Sequence, residues 1–144
     1  MIVLGIDPGQ HNGLAIFNDG KLIDLKTVAP IDLNQSIRDV QPALVVFEDS
    51  RLQSTTFVRQ ANYAQMLKIA RNVGMVDALC GLISDICIVD KIKAIPISPK
   101  DKGAKVNSER FKSITGWEKQ SNQHCRDAAM IAWKFRSGAR NASK

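Results

Sequence analysis

Three cysteines, no Cys-x-x-Cys pair and no long apolar run remove several classes of protein at once. An odd set of thiols (Cys80, Cys87, Cys125) without zinc-type spacing excludes a disulfide framework and fits reduced cysteines in a cytoplasmic protein. No apolar stretch approaches the roughly 20 residues that span a bilayer, so no membrane segment is expected. The opening Met1-Ile2-Val3-Leu4-Gly5-Ile6-Asp7 has neither a basic region nor a cleavage site. It reads as a buried strand, not a signal peptide. With no internal repeat and no linker, the 144 residues are expected to form one domain over 1–136, followed by a basic tail at 137–144.

Charge is present, but unevenly. Residues 1–90 hold 7 Lys/Arg against 10 Asp/Glu, whereas residues 91–144 hold 13 against 4, giving +6 for the whole chain. A basic C-terminal part on a mildly acidic front implies a polyanionic partner, with nucleic acid first among the candidates.

Ile2–Asp7 is an apolar run meeting the Pro8-Gly9 turn, as a central strand does. A second strand spans 13–18, and Asp19-Gly20 marks a two-residue hairpin into a third over 21–27. Helical spacing over 31–40 closes at Pro42, and a short apolar strand over 43–47 delivers Glu48 and Asp49. One helix is expected from about Gln60 to Asn72, stopped by Gly74, and another from Met75 to Asp85. A fifth strand over 94–97 precedes the basic loop 99–105, read as flexible. Helices near 108–114 and 122–135 follow, with Asn122 as the N-cap of the second. Hairpin-linked strands followed by helices alternating with single strands predict an α/β fold: a five-stranded mixed sheet flanked by helices, in the order of the ribonuclease H-like fold.

Phosphodiester hydrolysis needs an activated water and stabilisation of charge on the leaving oxygen. Divalent ions held by converging hard oxygen ligands supply both. Carboxylates at strand ends suit that task, and Asp7 and Glu48 stand there. Asp7 alone is as readily an Asx-type turn residue as a catalytic one. Asp49, next in an extended chain, should face the opposite side. His124 and Asp127, three apart on a helix, share a face, while Ala128 and Ala129 would let that helix approach the sheet closely.

Gly5-Ile6-Asp7-Pro8-Gly9, the apolar strand ending in Glu48, and His124-x-x-Asp127-Ala128 together resemble the RuvC-type Holliday junction resolvases, especially their phage-encoded members. The resemblance runs from residue 2 to about 135. It implies a homodimer with two active sites that nick opposed strands of a four-way DNA junction, and dependence on Mg²⁺ or Mn²⁺, two ions per site. Asp7, Glu48, His124 and Asp127 then become the catalytic, metal-binding set, with His124 at a position where some members have His and others Asp. Such a protein would work in the cytoplasm of a bacterial or phage-infected cell. One departure concerns the aromatic residue that cellular members carry soon after the strand-4 glutamate. Here Asp49-Ser50-Arg51-Leu52 follow, so Leu52 or Phe57 is left as the junction wedge.

Phosphate contacts are expected near the acidic centre but outside it, from Arg51, Arg59, Lys100, Lys102 and Lys105, with Lys134, Arg136, Arg140 and Lys144 along the tail. Met66, Leu67, Ile69, Met75, Leu79, Leu82 and Ile83 offer apolar surface for either core packing or a dimer contact. The same Gly-Ile-Asp opening begins the sugar kinase, actin and heat-shock ATPase group, but those need a second domain and a second phosphate loop. A ribonuclease H, a nuclease of forks and flaps, and a non-catalytic branched-DNA binding module are the remaining alternatives.

Overall fold

The structure is a computed structural model and describes residues 1–53 and 62–138. Phe57, Arg59, the expected helix start at Gln60, and tail residues Arg140 and Lys144 lie outside them. Strands β1 (Ile2–Asp7), β2 (Asn12–Asn18) and β3 (Lys21–Val28) form an antiparallel meander. The β2–β3 turn places both Asp19 and Gly20 at positive φ (49° and 82°), the conformation an Asp-Gly hairpin favours. After a 3-10 turn at Pro30–Asp32 come α1 (Leu33–Val40) and β4 (Leu44–Glu48), which lies parallel to β1. Strand β5 (Lys93–Ile97) adds parallel to β4 at the sheet edge, giving the order β3-β2-β1-β4-β5. Pro96 is tolerated there because an edge strand leaves one side unpaired. This is the mixed five-stranded sheet that the sequence implies.

The two sheet faces bury separate cores. On one, Leu4, Ile6, Val45 and Phe47 meet Leu33 and Ile37 of α1 and Cys80, Ile83 and Cys87 of α2 (Tyr63–Val89). On the other, Val3, Ala15, Phe17 and Val46 meet Phe111 of α3 (Ser108–Thr115) and Ala128, Ala129 and Ala132 of α4 (Gln123–Ala132). Asn122 caps α4 as expected, accepting from the Cys125 N–H at 2.9 Å. The last turn, Trp133–Phe135, is 3-10.

Helix α2 departs from the sequence reading. It is one continuous helix of 27 residues, not two broken at Gly74. A glycine in an exposed helix interior costs only about 1 kcal/mol relative to Ala. The apolar contacts of Leu79, Cys80, Ile83, Ile86 and Cys87 outweigh that, and an Asn62/Gln65 capping box fixes the start. Against expectation, α2 is also long and apolar enough to cross a bilayer by length and composition. One face of its C-terminal half, carrying Leu79, Cys80, Ile83, Ile86 and Cys87, ties it to the sheet.

Helix α4 approaches the sheet at backbone distance. A Cβ on Gly5 would collide with the Ala128 carbonyl and lie 2.8 Å from the Ala132 Cβ, and one on Gly13 would collide with the His124 carbonyl. Gly5→Ala should therefore lower stability by about 1–3 kcal/mol through overpacking. Gly74→Ala, with nothing within 4 Å of the new methyl, should raise it by up to about 1 kcal/mol. Urea unfolding of the two variants checks this, and a Gly5→Ala protein as stable as the parent would refute the close approach.

Candidate active site

Strands β1 and β4 run parallel and end side by side, so Asp7 and Glu48 emerge at one edge of the sheet. The turn after Asp7 is closed by a different residue: buried Asn12 accepts from the Gly9 N–H at 3.2 Å and donates to the Val28 carbonyl at 3.2 Å. Asn12 does the Asx-type work, which leaves the Asp7 carboxylate to the cleft.

Helix α4 delivers the other two members. His124 Nδ1 stands 3.5 Å from Asp7 Oδ2, and Asp127, only 8% exposed, lies over the same edge. The four expected residues thus line one cleft of about 340 Å³, together with Ser50, Lys102, Lys105 and Gln123. Gln123 donates to Asp127 Oδ1 at 2.7 Å and fixes that carboxylate. His11 is a further imidazole at the rim, its ring centroid 6.0 Å from that of His124.

Lys102 stands inside the acidic centre, not beside it. Its ammonium donates to Glu48 Oε2 at 3.0 Å and lies 3.7 Å from Asp127 Oδ2. Burial works against that charge, but the Glu48 hydrogen bond and the charges of Glu48, Asp127 and Asp7 prevail and raise its pKa. The loop read as flexible is therefore anchored here, after a 3-10 turn at Pro99–Asp101. Lys100 and Lys105 are exposed, and Lys105 also lines the cleft.

Arg51 also differs from the expected phosphate ligand. Its guanidinium grips Asp49 through two hydrogen bonds, of 2.9 and 2.8 Å, and donates to Ser84 at 3.0 Å. Asp49 faces away from the cleft, as its alternation with Glu48 requires.

The cluster has the electrostatics of a cation site. Asp7 is pushed up to about 6, chiefly by burial. Lys102 counters this, Asp127 and Glu48 add to it, and the His124 contact lowers it. Among the described residues no three His, Cys, Asp or Glu side chains form a ready ion cage. Instead an ammonium lies between two of the carboxylates. Three carboxylates and an imidazole that already attract a monovalent cation are a donor set suited to a divalent one.

In a chelating buffer the raised Asp7 has a defined consequence. Its contribution to stability is complete below about pH 4 and is lost as pH rises through about 6, since the unfolded chain ionises first. Asp7→Asn should then raise stability at pH 7 by about 1–3 kcal/mol and flatten that part of the profile. Thermal unfolding between pH 4 and 7 measures both, and an unchanged profile would contradict the crowding of charge around Asp7.

No protein-family model and no curated protein matches the sequence. Among solved structures, Thermus thermophilus RuvC in complex with a Holliday junction substrate superposes with a TM-score of 0.60 at 18% identity, covering 92% of this chain and 90% of that one. A second Thermus thermophilus RuvC structure gives 0.59 at 19% identity, with 92% of each chain covered. At that identity the likeness establishes the fold: this chain has the RuvC-like, ribonuclease H-like architecture.

Proposed function

We propose that this protein is a divalent-metal-dependent endonuclease that resolves four-way DNA junctions by nicking paired strands. The observation that carries this reading is the convergence of Asp7, Glu48, His124 and Asp127 in one cleft around the Lys102 ammonium. The fold is shared with a RuvC whose structure holds a Holliday junction, which supports the choice of branched DNA.

Asp7, Glu48, His124 and Asp127 would hold Mg²⁺ or Mn²⁺, two ions per site. Bound there, the metal supplies an activated water and stabilises the leaving oxygen. The protein's own part is to fix the ligands. Asp7 and Glu48 are held by paired strand ends, and Asp127 by Gln123. Lys102 offsets part of the cluster's negative charge and keeps Glu48 and Asp127 gathered. The imidazole of His124 removes one negative charge relative to an all-carboxylate set and favours the softer Mn²⁺. Exposed Lys100 and Lys105 would meet phosphates, and Leu52, 46% exposed just after Glu48, suits the junction wedge. Three separate buried thiols agree with a reducing cytoplasm.

Paired nicking requires two sites, and α2 offers the contact for a second copy. Leu67, Met75, Leu82 and Val89 recur at near seven-residue spacing and are exposed by 43, 40, 40 and 69%. A sustained apolar stripe of that kind is costly to leave in water and is the usual seam between paired helices.

Asp7→Asn, Glu48→Gln and Asp127→Asn are expected to abolish cleavage while junction binding persists, because the basic residues remain. His124→Ala should reduce rate more than affinity. Labelled four-way junctions, forks, flaps and RNA–DNA hybrids, each with Mg²⁺ or Mn²⁺, provide the assay. Symmetric paired nicks confined to the junction are expected, whereas a full-rate Asp7→Asn enzyme would sink the mechanism. Leu82→Glu should yield a monomer by sedimentation and lose paired nicking; an unchanged dimer would place the seam elsewhere.

A further inference from the structure

Glu48 is the last residue of β4, so its carboxylate is only as well placed as the turn that follows. Both ends of the peptide joining Glu48 to Asp49 are pinned. Its carbonyl accepts from Cys80 Sγ at 3.5 Å, and its N–H donates to the Ile97 carbonyl at 2.8 Å. Beyond it the chain makes one 3-10 turn, Ser50–Leu52, and this turn is fastened to α2. The Asp49 side chain, 4% exposed, accepts from the Arg51 backbone N–H at 3.0 Å and from Nε and Nη2 of its guanidinium. The same guanidinium reaches Ser84, and Ser50 donates to Asp77 at 2.6 Å, about two helical turns earlier on α2.

We propose that Asp49 and Arg51 are positioning residues that set the Glu48 carboxylate by clamping the post-β4 turn onto α2. The inference rests on Glu48 being a working residue of the nuclease proposed above. A bidentate, charge-assisted pair is both strong and directional, which a lysine in place of Arg51 cannot reproduce. A catalytic ligand tolerates displacement of only about 0.5 Å. Neither Asp49 nor Arg51 lines the cleft, so the pair acts through Glu48 and not on substrate.

The test compares Arg51→Lys with the parent, and each again in a Glu48→Asp background. Arg51→Lys should lower single-turnover cleavage at saturating junction by about ten-fold or more, since small misplacements are that costly. Junction affinity should stay within about two-fold, and in the Glu48→Asp background the further loss should also be under about two-fold, the signature of two changes acting through one group. Alkylation gives a readout independent of activity. Cys80 lies under the turn and should become reactive in Arg51→Lys, while Cys125, on the opposite sheet face, stays protected. If Arg51→Lys fails to fold, Ser84→Ala removes only the guanidinium's own tether to α2 and should show the same pattern more weakly.

Wild-type cleavage by Arg51→Lys, parallel loss of rate and DNA affinity, full multiplication of the two effects, or a Cys80 as protected as in the parent would each overturn the proposal. A parent protein that cuts no branched DNA would instead overturn the nuclease reading. Cys80 alkylation would still decide whether the pair holds the turn.

Discussion

Backbone contact between α4 and the first two strands is the constraint on which the site depends. Gly5 and Gly13 present no side chain beneath Ala128 and His124, so the helix settles onto the sheet closer than any other residue would permit. That closeness brings His124 to Asp7 and Asp127 over the ends of β1 and β4. Methyl groups at the two glycines would lift α4 and separate its carboxylate from the strand-end pair. Small residues at these positions on both sides, Ala128 and Ala132 above and glycine below, are thus a single packing decision with a functional result.

Bringing those carboxylates together works against stability. Asp7 is buried beside two other acids, and burial alone already disfavours its charge. Lys102 relieves part of this by sitting between Glu48 and Asp127, and it does so from a loop on a different element. The remaining imbalance is the physical content of the site, and on the proposed reading a divalent cation bound there would offset it. Strain of that kind at a cluster of like charges marks a functional centre more often than a structural one.

Much of this was legible in the chain. The Ile2–Asp7 run, the Asp-Gly hairpin, the apolar strand before Glu48 and the Asn122 cap each follow from local patterns, and they fix the order of the sheet. Residues at strand ends and on one helix face converge because topology makes them. What escaped were particular contacts between residues far apart in the chain. Gly5 looked like an ordinary member of an apolar strand, and its role appears only once Ala128 is above it. Lys102 looked like its neighbours Lys100 and Lys105, and nothing in its spacing distinguishes a lysine that pairs with Glu48 and Asp127 from two that stay exposed. Gly74 looked like a helix stop because propensity was weighed without the tertiary contacts of Leu79, Cys80 and Ile83. Arg51 follows an acidic residue by two positions, a weak sign of a local pair, and it was overlooked in favour of DNA.

Helix α2 links the sheet, the turn after Glu48 and the outer surface. Toward the sheet it buries Cys80, Ile83 and Cys87; along one edge it holds the turn after Glu48 through Asp77 and Ser84; and outward it shows Leu67, Met75, Leu82 and Val89. A helix of 27 residues bends and frays unless something fixes its length. On the proposed reading a second copy of the chain covers the outer stripe, and the same rigid body then registers the two clefts and holds Glu48 in each. With the turn clamp on that helix, instead of on the sheet, the geometry of the carboxylate proposed as catalytic would depend on the element proposed as the seam. A junction has two scissile strands at a fixed separation. A nuclease built this way would set both the separation of its sites and the order within each of them with one helix.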